Sequence, residues 1–512
     1  MKRLLSILLT LCLCLPLTAG IHSYTEESML ASGHWVKIRV SESGVCRMTF
    51  SQLESAGLNP SEVRVYGYGG AMLDQSFRNK KIDDLPQVPV YRGANYILFW
   101  VQGPISWRYN DTRFVHSKNT YSNYGYYLLT DDAGEKMAFP IDEQGSGLEP
   151  THVHQYIYYQ VHEKDSLNLI DRSGVSGGGR EFYGEQFSAN TSRSFSFSTP
   201  NAVLGAQATI YCDVAAFART SSYFTCDFNG IASSVYVRPV DDNYTMGCTA
   251  STSVSALLTA NRQQVKLTYE NHTSGSGSFG WLNYLELTAP SELRMTGSWM
   301  PIRTDVNYKT ITPVQFHLTD AAAGTEIWDV TRLDTIRRIP ASTVNNELVW
   351  TGTQEDGIHE YVAVNPQGTS WVNATVVGDV KNQNLHQLKN IDYTIICPEG
   401  YEAIATDLAK AHEQKEGITR AVVTDQQVYN EFSSGTPDAT AYRWLMKMLY
   451  DRADGGAIAK PRWLLLMGHG SFDNRKLLPN SGTALLLTYQ ARNSVNEVNA
   501  YATDDYFGFL KD

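Results

Sequence analysis

Arg462-Trp-Leu-Leu-Leu-Met-Gly-His-Gly-Ser471 decides how the fold is read. The apolar run from Arg462 to Met467 predicts a strand that ends at Gly468. Two further strand signals precede it. Tyr393 to Cys397 reads as a buried strand stopped by Pro398, and Arg420 to Thr424 as the next one. Between these two the spacing predicts a helix through about Lys415, with Ile404, Leu408 and Ala411 on one face and Gly417 just past its end. Pro437-Asp438 opens a second helix, whose free amides an aspartate caps well, and Tyr442, Leu445, Met446 and Leu449 line its buried stripe. Strand, helix, strand, helix, strand at this spacing predicts a parallel sheet with right-handed crossovers. Such sheets work beyond the carboxyl ends of their strands. Here those ends follow Cys397, Thr424 and Met467.

Upstream the texture is different. From about 33 to 390 the chain reads as short strands and turns, with almost no helical periodicity. Val36, Ile38 and Val40 alternate with polar residues, and Tyr96 to Val101 is a continuous apolar run ended by Gly103-Pro104. Further strands are expected at Ser194 to Ser198, Ala208 to Val214, Val265 to Tyr269 and Trp281 to Leu287, with loops at Gly174 to Gly179 and Ser274 to Gly280. The expected fold is therefore multidomain: β-rich, sandwich-like or barrel-like modules followed by an α/β parallel-sheet subdomain. The boundaries are placed at 21–175, 176–390 and 391–512.

The whole chain has 512 residues, enough for two to four domains at roughly 150 residues each. Lys plus Arg is 42 against 53 Asp plus Glu, a formal charge of -11, which argues against a coat for nucleic acid. Hydrophobic residues at 42% and charged residues at 19% exclude a disordered composition. Lys2 and Arg3, the apolar Leu4 to Leu17, and the small residues Thr18, Ala19 and Gly20 make residues 1–20 a cleaved export signal. Cys12 and Cys14 follow leucines, which does not suit a lipoprotein. Past that segment no apolar stretch is long enough to cross a bilayer as a helix.

His469, on a strand's carboxyl end between two glycines, is the candidate proton-transfer residue, since imidazole titrates near neutrality and a cysteine peptidase needs one to hold its thiolate. The bland alternative is a turn histidine that bonds locally. Cys397 shares this half of the chain but lies inside a predicted strand, a poor place for a nucleophile. The mature cysteines Cys46, Cys212, Cys226, Cys248 and Cys397 are odd in number and form no CxxC, so no zinc ribbon is expected. A disulfide among Cys212, Cys226 and Cys248 stays open. Asp504-Asp505 reads as a solvated turn, since calcium wants more oxygens than two acids give. His152 and His154 lie on one face of any strand, with His162 nearby; that spacing can bind metal, but an exposed strand pair is the expectation. No metal or cofactor is expected. There is no P-loop, dinucleotide fingerprint or GxSxG.

Several motifs together resemble the gingipain family of cysteine peptidases, and within it the sortases of the type IX secretion system. They are Asn430-Glu-Phe-Ser-Ser-Gly435 with Pro437-Asp438, Met448-Leu-Tyr-Asp-Arg452, and Leu464 to Arg475. In the front half they are Ser32 to Gly44, Val65-Tyr-Gly-Tyr-Gly-Gly70, Asp83-Asp-Leu-Pro86, Gly179-Arg-Glu-Phe-Tyr-Gly184 and Ile327-Trp-Asp-Val-Thr331. The resemblance implies a cysteine endopeptidase and transpeptidase at the outer surface of Bacteroidota. It would remove C-terminal sorting domains from secreted cargo and pass the new carboxyl end to lipopolysaccharide, alongside outer-membrane secretion-system proteins. Family catalytic regions have two α/β subdomains with histidine and cysteine in the second, and residues 391–512 resemble the first. The catalytic pair is therefore expected beyond Asp512, the chain is expected to be an N-terminal portion without activity of its own, and His469 is kept only as a candidate. The other readings are a non-catalytic surface module of the secretion machinery and a secreted gingipain-type protease.

Overall fold

The alternation at Trp35–Val40 does what its pattern asks. In the computed structural model, which describes residues 22–142, 149–171, 177–271, 277–303, 313–352, 358–453 and 460–511, this strand lies between Gly125–Thr130 and Thr375–Val380, antiparallel to both. Arg64–Tyr66 and Gln87–Val88 complete a five-stranded sheet. A second small sheet pairs Tyr96–Val101 with Gly44–Thr49 and Tyr91–Arg92. Ile97 to Val101 are buried without a break, as expected of a strand covered on both faces. Ile38, Leu98, Phe99 and Leu129 meet in the core between the two sheets. The export signal at 1–20 lies outside the described residues, and so does part of each of the two predicted glycine loops.

The middle of the chain is a sandwich. Cys248–Leu257, Gln207–Phe217, Phe279–Glu292 and Gln155–Glu163 run side by side in a nine-stranded sheet. A four-stranded sheet of Thr191–Ser198, Arg262–Glu270, Ser222–Phe228 and Ile231–Val237 supplies the other layer. Strict alternation along Arg262–Glu270 sends Val265, Leu267 and Tyr269 inward against Ile210, Phe224 and Leu285. Cys212, Cys226 and Cys248 sit in this core as free thiols, so none of the possible disulfides among them is formed. The far end of the large sheet packs on a smaller one, in the order Thr151–Val153, Val314–Leu318, Glu347–Thr351, Ala341–Val344, around Phe316, Trp350 and Tyr361.

The last part is the α/β unit. Tyr393–Cys397 is flanked in parallel by Arg420–Thr424 and Trp463–Leu466. The first helix, Glu402–Glu416, ends at Gly417 in the left-handed conformation. Its buried face is not the predicted one. Ile404 and Leu408 are 60% and 36% exposed, and the small Ala405 and Ala409 face the sheet instead, because close helix–sheet packing leaves room only for methyl groups. A helix at Asp425–Phe432 was not foreseen; the Thr424 hydroxyl and the Gln427 side chain form a reciprocal capping box at its start. Ala439–Asp451 follows, capped by Asp438 as expected, with Tyr442, Leu445 and Leu449 fully buried.

Candidate functional site

The carboxyl end of Trp463–Leu466 leads into Gly468-His469-Gly470, and the chain then wanders without regular structure to a short 3-10 turn at Asp505–Gly508. Met467 continues the sheet by one bond, its amide donating to the Ile396 carbonyl at 2.8 Å. The His469 carbonyl accepts from the amides of Leu485 and Leu486 at 2.9 and 3.3 Å, which folds the later loop back over the strand end. The side chain itself is exposed. Among the described residues its one hydrogen-bond contact is Nδ1 to the Gly470 carbonyl at 3.4 Å, the local turn contact of the bland reading.

His469 borders a cavity of about 420 Å³, whose other walls include Gly177, Gly178, Ser471, Phe472 and Thr488. Two of these come from the sandwich module, and the approach is close enough to demand glycine. A Cβ at Gly177 would meet the Phe472 ring at 2.5 Å, and one at Gly178 would meet the Ala500 carbonyl at 2.5 Å. Gly179 has φ of +70° and lies against the Asn493 backbone. The loop is held there by bonds to residues far away in sequence. The Arg475 guanidinium donates to Asp165 at 2.6 Å, the Arg180 amide to the Ala491 carbonyl at 3.0 Å, and the Glu181 amide to Ser494 Oγ at 2.9 Å. Asp473 is buried and braces the turn, its Oδ2 accepting from the Leu478 amide and the Ser481 hydroxyl.

The chemistry of this concavity is limited by what faces it. No described cysteine is exposed. Cys397 is buried in the central strand, its thiol donates to the Val423 carbonyl at 3.7 Å, and burial pushes its pKa up to about 11. That is the opposite of an activated thiolate. The Ser471 hydroxyl, the alternative nucleophile on the wall, is already donated to the Ser481 carbonyl at 2.9 Å. Imidazole and thiol are not brought together here. Asp504 and Asp505 stand exposed on the terminal turn, as the solvated-turn reading expected.

Two of the sequence motifs lie where the α/β unit meets the front module. Ser434 Oγ accepts from the amides of Tyr68 and Gly69 at 2.8 and 3.3 Å and donates to the Tyr126 carbonyl at 3.1 Å. Thr436 Oγ1 donates to the Gly69 carbonyl at 2.9 Å. Asp438 Oδ2 accepts from Leu73, and burial raises its pKa to about 6. Lys37, buried beneath Asn430 at 3.0 Å, has its pKa lowered to about 8 by the same cause. Asn430 to Asp438 and Val65 to Gly70 are thus two halves of one interface.

Comparison with known proteins fits this arrangement. Residues 386–512 match peptidase family C25. The crystal structure of dimeric latent PorU from Porphyromonas gingivalis superposes with a TM-score of 0.83 at 32% identity, covering 96% of this chain. The chain is thus similar in fold to PorU, and its last part to peptidase family C25. It spans 47% of the PorU chain, about half its length. A family 35 carbohydrate-binding module from an environmental isolate aligns over 27% of this chain and 97% of its own, at 14% identity and a TM-score of 0.18, too low to carry an argument. No curated protein sequence matches. The PorU-like architecture is the expected one, β-rich modules followed by a gingipain-like α/β subdomain.

Proposed function

We propose that the chain is the supporting half of a type IX secretion sortase. In this reading the β-rich modules and the first α/β subdomain hold a cysteine peptidase centre that lies outside the described residues. The observation that carries it is the likeness to PorU over 96% of this chain at 32% identity. The reaction is acyl transfer at the cell surface. A thiolate attacks the peptide carbonyl before the cargo's C-terminal sorting domain, a histidine protonates the leaving amine, and a lipopolysaccharide amine resolves the acyl-enzyme. Backbone amides stabilise the oxyanion.

The five buried thiols favour a supporting role for the residues at hand over a catalytic one. The test is an activity-directed thiol probe applied to cells that export the protein. Labelling at a single cysteine downstream of Asp512, blocked by a peptide spanning a cargo sorting junction, supports the reading. Labelling at Cys397, or an open reading frame that stops after Asp512, overturns it in favour of a binding module.

A further inference from the structure

The strongest unexplained cluster lies far from the peptidase segment, on the small sheet that ends in Thr151–Val153. That strand is an edge, joined to the sheet through parallel pairing with Val314–Leu318 in the register His152 to Gln315. Alternation turns Val153 and Phe316 toward the core and sends His152, His154 and His317 to the outer face. On the other side of His317, the antiparallel strand Glu347–Thr351 brings Glu347 onto the same face. Four side chains from three strands therefore converge, although 165 residues separate His152 from His317.

The geometry is that of a ligand set. His152 Nδ1 lies 2.8 Å from His317 Nε2, and His317 Nδ1 lies 2.8 Å from Glu347 Oε2. The ring of His154 is 4.6 Å from that of His317, centroid to centroid. Ligand atoms of His154, His317 and Glu347 all fall within 4.8 Å of one another. His317 Nδ1 faces the carboxylate and its Nε2 faces His152, so both ring nitrogens meet polar partners on this face. Two imidazole nitrogens that face each other this closely share either a proton or a cation. A tetrahedral zinc ion with nitrogens at about 2.0–2.1 Å holds them roughly 3.3 Å apart, a small opening of the observed spacing. His152 and His154 are exposed, so an ion has a path in and a water position remains.

We propose that His154, His317 and Glu347, with His152 at 2.8 Å from His317, bind a divalent late-transition ion of the zinc class. Imidazole donors exclude calcium and magnesium, which take oxygen ligands. Coordination would staple the three-residue edge strand Thr151–Val153 to the sheet and so protect an edge that is otherwise held on one side only.

The experiment is calorimetric titration of zinc chloride into the full chain, produced without a polyhistidine tag and freed of metal by a chelator. Cobalt(II) absorption serves as a second readout of nitrogen coordination. The wild type is expected to take up one ion per chain. His154→Ala with His317→Ala should lose at least a hundredfold in affinity, and Glu347→Gln should keep the stoichiometry while weakening binding about 10–100-fold. Circular dichroism of the metal-free variants checks that they fold; the exposed-site variants His152→Gln and His154→Gln stand in if the double variant does not. No saturable uptake by the wild type, or equal affinity in wild type and variants, overturns the proposal.

Discussion

The Asp438 carboxylate accepts a hydrogen bond from the Leu73 amide at 2.8 Å across 365 residues of sequence, and with its other oxygen it caps the helix Ala439–Asp451. One side chain thus starts the main helix of the peptidase-type unit and ties that unit to the β-rich front. Asp438→Ala is expected to cost about 2–4 kcal/mol, the sum of a lost cap and a buried unpaired amide. Asp438→Asn should cost less, since its amide oxygen keeps one of the two bonds. Urea unfolding followed by proteolysis measures both.

Gly179 sits where the sandwich touches the loop after His469. At φ of +70°, a Cβ there would lie 1.9 Å from the Asn493 carbonyl oxygen. Gly179→Ala is expected to destabilise by at least about 2 kcal/mol, and to expose the 491–500 loop to proteolysis before the rest of the chain. Cleavage elsewhere first would show that the loop is held by other contacts.

The stability contributed by His386 and His116 should be lost as pH rises from about 6.5 through 9. His386 is fully buried between Asp83 and Glu431. Burial alone lowers its pKa, but the hydrogen bonds to both carboxylates outweigh this and raise it to about 9. His116, held by Glu163 and Glu286, behaves alike and also reaches about 9. A folded pKa above the unfolded 6.5 means that the stabilisation is complete below about pH 6.5 and is lost as pH climbs through 9. The expected loss is on the order of 2 kcal/mol for each site. His386→Gln should flatten the profile; an unchanged slope in that variant contradicts the assignment.

Thiol counting separates the cysteines from any catalytic role. Cys46, Cys212, Cys226, Cys248 and Cys397 are all buried and unpaired, and burial pushes Cys46 up to about 12. None should react with a disulfide reagent at pH 8 until the chain is unfolded, after which all five should. Rapid native labelling of Cys397 would place an active thiol in the parallel sheet.

Much of this was readable from local pattern. The runs Tyr96–Val101 and Tyr393–Cys397 are strands because continuous apolar side chains need cover on two faces. Gly417 and Asp438 announced a helix end and a helix start through their own backbone chemistry. The helix Asp425–Phe432 hides in a polar stretch, and its capping box was the available signal. Ile404 and Leu408 misled because size suggested burial, while the space beneath the helix suits alanine. What local pattern does not carry is pairing at a distance. Nothing in Trp35–Val40 names Thr375–Val380 as its neighbour, and nothing near His152 points to His317. His469 was legible as a strand-end histidine, but its exposure and its distance from any activated thiol depend on how loop 471–502 folds back.

The central claim is that these residues support a cysteine peptidase centre without containing it. Cleavage of a fluorogenic peptide spanning a cargo sorting junction tests it most directly, in residues 22–512 and in the protein as its own cells produce it, each with and without His469→Ala. The account predicts no turnover by residues 22–512, and turnover by the cell-produced protein that His469→Ala leaves within about twofold and thiol alkylation abolishes. Turnover by residues 22–512 that disappears in His469→Ala would contradict it.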